Sequence, residues 1–103
     1  MRLLESSIER EVVKWCKDHH VLTTKLSGMG QRGKPDRVFW MPEGKAVLAE
    51  FKRPGCIVTK LQLHNIHAYA ELGFDVFVFY SAAQAITVLH RYLYERMDAI
   101  HAV

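Results

Sequence analysis

The stretch Asp36-Arg37-Val38-Phe39-Trp40-Met41-Pro42-Glu43-Gly44-Lys45-Ala46-Val47-Leu48-Ala49-Glu50-Phe51-Lys52 decides the fold. Two apolar runs, residues 37–41 and 45–52, flank the turn-forming trio Pro42, Glu43 and Gly44, and the arrangement predicts an antiparallel hairpin. Period-two alternation in the second run puts Leu48, Glu50 and Lys52 on one face and Val47, Ala49 and Phe51 on the other. Two charged residues thus project together from an otherwise apolar strand, where an unpartnered charge is costly to bury. Closing the hairpin also brings Asp36, which opens its first strand, beside the end of the second. Asp36 and Glu50 are then two carboxylates at neighbouring strand ends, suited to a hard divalent cation that prefers oxygen ligands. Lys52 faces the same cavity, where it can orient or help deprotonate a metal-bound water and balance charge developing on phosphorus. This is chemistry for hydrolysing a phosphodiester.

Working outward, residues 27–35 carry Gly28, Gly30 and Gly33 and read as a loop, preceded by a strand over the β-branched stretch 21–26. Residues 3–18 form an amphipathic helix with Leu4, Ile8, Val12 and Trp15 at three- and four-residue steps, and Ser6 and Ser7 offer capping groups. At about 100° per residue, Glu5 falls inside that apolar stripe and Glu9 at its edge. Beyond the hairpin, Pro54 and Gly55 end the strand, and Thr59 caps a helix running to Leu72, with Gln62 turned towards the sheet. Residues 75–80 are almost continuously apolar and predict a central strand covered on both faces. A last helix starts near Ser81 and runs to about Met97. The expected order is α-β-β-β-α-β-α, an α/β fold with a central mixed sheet flanked by helices, in a single domain over residues 1–103.

The 103 residues are 50% hydrophobic and 24% charged with a net charge of +3, values that exclude a disordered or low-complexity chain. The charge is uneven: residues 21–62 hold eight basic and three acidic residues. Basic residues interspersed with glycines suit a loop that approaches a phosphate backbone. Lys25, Arg32, Lys34, Arg53 and Lys60 are the candidate DNA contacts. Cys16 and Cys56 have neither zinc-ligand spacing nor the number of a disulfide scaffold. The absence of a long apolar run or a signal-like N-terminus leads us to expect no membrane span and a cytoplasmic location.

Gly33-Lys34-Pro35-Asp36, then Glu50-Phe51-Lys52, then Gln62 near the start of the next helix, with an acid in the first helix, resembles the PD-(D/E)XK nuclease pattern. Within it the chain is similar to the VRR-NUC (virus-type replication-repair nuclease) branch, from Glu5 to about Tyr80. The resemblance implies a restriction-endonuclease-like core and a Mg²⁺- or Mn²⁺-dependent endonuclease with no organic cofactor. It implies that Asp36, Glu50 and the main-chain carbonyl of Phe51 bind the metal and that Lys52 activates or positions the attacking water. Gln62 would orient Lys52 or a phosphate, and Glu5 would reach the metal through water, with Glu9, one turn on, as the alternative. Short members are similar to phage-encoded homodimers that act on branched DNA, including four-way (Holliday) junctions, in replication, recombination and repair. A non-cleaving binding module, or a nuclease acting on flaps, duplex DNA or RNA, are the alternatives for the same core.

Ordinary structural roles compete with these assignments. Asp36 can be a turn aspartate, Glu50 and Lys52 a solvated strand edge, and Gln62 a helix cap. The pairs His19-His20 and His64 with His67 lack carboxylate partners in sequence, so no metal role is expected of them. Trp15 and Trp40 sit in apolar patterns and are expected in the core. In the last helix Ile86, Leu89, Leu93, Met97 and Ile100 form a stripe that Ala85, Val88 and Tyr92 widen, as a dimer interface would require or as deep burial in the chain's own core would produce.

Overall fold

The computed structural model describes residues 4–28 and 32–95. Strands β2 (Arg37–Met41) and β3 (Lys45–Phe51) form the expected hairpin, with Val38 opposite Leu48 and Trp40 opposite Ala46. A short 3₁₀ turn, Pro42–Gly44, joins them, and Glu43 and Gly44 adopt positive φ of 65° and 73° there. Strand β1 (Leu22–Lys25) pairs antiparallel with β2, while β4 (Asp75–Phe79) pairs parallel with β3 after a crossover through helix α2 (Lys60–Glu71). The sheet order is β1-β2-β3-β4. With helices α1 (Glu5–Asp18) and α3 (Ala82–His90), the chain order is the α-β-β-β-α-β-α read from the sequence.

The alternation in β3 separates two kinds of interior. Val47, Ala49 and Phe51 join Phe39 and Met41 of β2 and Phe79 of β4 in a core closed by Ile8, Val12 and Cys16 of α1 and by Ala82, Ala85 and Leu89 of α3. Phe51 lies between Phe39 and Phe79, with ring centroids 6.5 and 6.0 Å away. Burying each such ring contributes about 1.5–3 kcal/mol. On the opposite face Leu48, Glu50 and Lys52 are buried too, although two of the three are charged.

Four expectations are corrected. Strand β4 lies at an edge of the described sheet; its apolar run reflects cover by α2 and α3 on its two faces, which a sequence pattern cannot tell from a central position. Ser6 and Ser7 lie within α1, whose N-cap is Leu4 with no side-chain cap. Helix α3 gives way at Arg91 to a π-helical segment, Arg91–Glu95, while Met97 and Ile100 fall outside the described residues. On the wide apolar face of α3, Ala85 and Leu89 are fully buried, and the partly buried Ile86, Val88, Tyr92 and Leu93 pack against the same core. Trp15 packs against the core as expected, but Trp40 is 49% exposed. No helix among the described residues is long and apolar enough to cross a membrane.

Candidate active site

The site is built where the β2–β3 hairpin meets the loop before it. Pro35 is fully buried, and Gly33 sits at φ 78° against α2, where a Cβ would lie 2.4 Å from Leu61 Cγ and 2.7 Å from Asn65 Nδ2. Only glycine fits this close, left-handed approach. The Asp36 backbone extends the ladder beyond β2: its N–H donates to the Ala49 carbonyl (2.8 Å), and its own carbonyl accepts from Leu26 N–H (2.8 Å) and Ser27 N–H (3.3 Å). Asp36 Oδ2 accepts from the Phe51 N–H at 2.7 Å, which fixes the carboxylate against the end of β3. The turn-aspartate alternative is thereby replaced by a side chain held across two strands.

Glu50 is 3% exposed. Its Oε2 accepts from Gln62 Nε2 at 3.0 Å, and its Oε1 is buried without a partner among the described residues. Gln62 does two jobs. Its Oε1 accepts from the Thr59 N–H and its backbone N–H donates to Thr59 Oγ1, a complete capping box, while the amide nitrogen reaches the sheet. The cap and the site-directed role are therefore one arrangement. Lys52 is 9% exposed, donates its backbone N–H to Phe79 carbonyl at 2.9 Å, and closes no ion pair among the described residues.

These groups are electrostatically unbalanced. Burial, then the neighbouring Asp36 charge, push the Glu50 carboxyl up to about 8; Lys52 pulls it down, and Glu5 and Glu9 push it further up. Asp36 is raised too, first by burial, against the Phe51 N–H that lowers it; the charge of Glu9 raises it and that of Lys25 lowers it. Two adjacent carboxylates whose charged forms are both disfavoured form a site short of positive charge.

The first helix supplies two acids with different surroundings. Glu9 Oε2 accepts from Arg37 Nε at 2.6 Å and Lys25 Nζ at 2.9 Å, so it is already engaged by two cations. Glu5, in the first turn of α1, is half-buried, has no hydrogen bond or ion pair with a described residue, and acts through its charge on Glu50 and Arg53. Of the basic candidates, Arg32, Lys34 and Lys60 are exposed, Lys25 is tied to Glu9, and Arg53 Nε donates to Cys56 Sγ at 3.1 Å. Gly30 lies outside the described residues. Sequence reasoning missed Arg37, whose partner Glu9 is far away in the chain, and gave no reason for Gly33.

A divalent ion fits these residues. Among the described residues no three His, Cys, Asp or Glu side chains form a metal cage. A magnesium-type ion needs none, since it is held by one or two carboxylates and keeps waters until phosphate oxygens replace them. Asp36 and Glu50 supply that pair, and the unpartnered Glu50 Oε1 is the kind of buried acceptor a cation would satisfy.

No family model matches the chain. The protein named "Putative nuclease p44" of Acyrthosiphon pisum secondary endosymbiont phage 1 is 37% identical over 79 residues, which are 76% of this chain and 85% of that protein. A solved VRR_NUC domain superposes with a TM-score of 0.73 at 25% identity, covering 85% of this chain and 96% of the other. A solved VRR_NUC domain protein shares the fold, with a TM-score of 0.73 at 18% identity over 89% of each chain. A restriction-endonuclease-like sheet, and a phage relative more than one-third identical over most of its length, lead to one conclusion: the chain belongs to the VRR-NUC family of nucleases, as a phage-type member whose substrate is nucleic acid.

Proposed function

We propose that the protein is a Mg²⁺- or Mn²⁺-dependent endonuclease that cuts branched DNA, with the four-way junction as its substrate. The observation that carries this reading is the buried, unpartnered Glu50 Oε1 beside a second raised carboxylate, Asp36. Asp36, Glu50 and the Phe51 carbonyl would hold the ion, with Glu5 reaching it through water. Bound there, the ion supplies Lewis acidity at the phosphoryl oxygen.

The remaining chemistry belongs to the chain. Water adds to phosphorus and one P–O ester bond breaks, leaving a phosphate monoester and an alcohol. Lys52, only 9% exposed, hydrogen-bonds and positions that water through its ammonium, favouring loss of the water's proton to solvent and balancing the charge that grows on phosphorus. Gln62 fixes Glu50 through its amide nitrogen. Glu5, which has no hydrogen bond or ion pair with a described residue, would accept a hydrogen bond from a water, whereas the charge of Glu9 is already engaged by Arg37 and Lys25. Arg32, Lys34, Arg53 and Lys60, with Lys25, contact phosphates. A four-way junction needs two symmetric nicks and each chain carries one site, so a two-fold homodimer is the working form.

The test is cleavage of labelled junctions, flaps, continuous duplex and single strands, with Mg²⁺ and with EDTA. Paired nicks in the junction, only with metal, are expected. Cleavage that persists in EDTA, or a junction bound but left intact, would overturn the proposal. A light-scattering mass of one chain, with nicks still paired, would remove the dimer.

A further inference from the structure

Trp40 is the one large aromatic side chain in the described sheet that neither core accounts for. Alternation along β2 places Asp36, Val38 and Trp40 on the face away from α1 and α3, since Phe39 and Met41 enter the core between them. Across the strands, Trp40 lies opposite Leu22 of β1 and Ala46 of β3, and Val38 opposite Thr24 and Leu48. Val38 and Leu48 are buried, yet Trp40 is 49% and Leu22 is 74% exposed. The indole is tethered as well as exposed: its Nε1–H donates to Thr24 Oγ1 at 2.9 Å, across the β1–β2 pair. A held ring has already lost much of the rotamer freedom that binding would otherwise remove.

Its position relative to the carboxylates is set by the strand. Trp40 lies four residue steps along the strand from Asp36, about 13 Å at the usual strand rise. A stacked strand advances about 3.4 Å per nucleotide, so a chain with its phosphate at Asp36 passes Trp40 some four nucleotides away, sooner if extended. The tethered ring and the carboxylates lie on one continuous face of the sheet, and the family's substrate is nucleic acid.

We propose that Trp40, held by Thr24 and flanked by Leu22, is a stacking platform for a base of the substrate strand left without a stacking neighbour at a branch, gap or end. The inference rests on the nuclease reading of Asp36 and Glu50 and adds a substrate-discriminating residue to it. A base inside a continuous duplex has both faces covered by its neighbours and cannot use the platform. A base at a branch point has one face open, and stacking on an aromatic ring tolerates any sequence.

The experiment compares the whole protein with Trp40→Ala and Trp40→Phe by fluorescence anisotropy in EDTA, using a labelled four-way junction and a continuous duplex of equal length. Circular dichroism checks folding and light scattering checks mass. Trp40→Ala should weaken junction binding about tenfold while changing duplex binding by less than about twofold, and Trp40→Phe should restore most of the loss. In the presence of Mg²⁺ the cleavage defect should fall on KM rather than on kcat. Equal losses on both substrates, no loss on either, or a halved mass that marks the patch as a contact between copies would each overturn the platform. The nuclease reading is tested separately: selective junction binding that Trp40→Ala loses, with no metal-dependent cleavage by the wild type, would sink that reading and leave the platform standing.

Discussion

The two faces of strand β3 solve burial in opposite ways. Phe51 and its alternate neighbours Val47 and Ala49 meet only apolar groups from α1, α3 and the flanking strands, and are excluded from water at no electrostatic cost. One residue away, Glu50 is almost as deeply buried with a single hydrogen bond, one acceptor unsatisfied and a second carboxylate beside it. The first face holds the fold together. The second stores unfavourable charge that a bound cation relieves, and the same backbone hydrogen bonds support both, since the Phe51 N–H serves Asp36 while the Phe51 ring serves the core. Burial alone does not distinguish a core from a site; the state of the buried polar groups does.

The sharpest way to separate the faces is to change function without changing fold. Lys52→Ala or Asp36→Asn should reduce cleavage by about 10²–10⁴-fold, measured as single-turnover rates, while DNA binding stays largely intact because the exposed basic residues supply the phosphate contacts. Parallel losses of binding and cleavage would count against the roles proposed for these residues. The reverse experiment is Phe51→Ala, which opens a cavity between Phe39 and Phe79 and should cost about 3–5 kcal/mol in denaturant unfolding.

Glu50→Gln, one residue from Phe51, should have the opposite sign. The folded chain holds the Glu50 proton up to about 8, whereas the unfolded chain releases it near 4.5. Between those values the folded state binds more protons than the unfolded state, so stability without metal falls as pH rises through this window. Asp36 is shifted in the same direction. In EDTA, Glu50→Gln should therefore gain about 1–3 kcal/mol on the wild type between pH 5 and pH 8. Mg²⁺ at pH 8 should raise the melting temperature of the wild type and leave that of Glu50→Gln nearly unchanged. A wild type with the same stability at both pH values in EDTA would remove the argument for a charge-deficient site.

The apolar face and the juxtaposition of Asp36 with Glu50 were legible in the sequence because both follow from short-range rules, namely alternation along a strand and the closing of a hairpin around Pro42-Glu43-Gly44. The Thr59–Gln62 capping box is equally local. What escaped depends on distant partners. The edge position of β4 is a property of sheet order, and its apolar run looks the same whether strands or helices cover it. Trp40 follows the same alternation as the buried Val38, yet no described element covers it at that end of the sheet. Gly33 is needed because Leu61 and Asn65 arrive from α2, about one turn of helix apart. The two acids of α1 lie one turn apart on the same side of the helix, and periodicity leaves them equivalent until Arg37 and Lys25 engage one of them.

That last difference gives the smallest and most discriminating test. Glu9 is joined to the half-buried Arg37 and to the exposed Lys25, so Glu9→Gln weakens two charge-assisted hydrogen bonds, the solvent-screened lysine one the less important, and should lower stability by about 1 kcal/mol. For a domain of this size each kcal/mol moves the melting temperature by about 4–8 °C. Cleavage by Glu9→Gln should change little once assayed below its own transition. Glu5 has no described partner to lose, so Glu5→Gln should leave stability within about 0.5 kcal/mol of wild type and yet reduce cleavage about tenfold by weakening its contact with ordered water. The two variants should therefore separate along two axes, stability for Glu9 and rate for Glu5, measured on the same preparations by thermal unfolding and single-turnover cleavage. If Glu5→Gln is silent in both and Glu9→Gln loses rate without losing stability, the first-helix acid is Glu9, and Arg37 with Lys25 would have to release it when the metal binds.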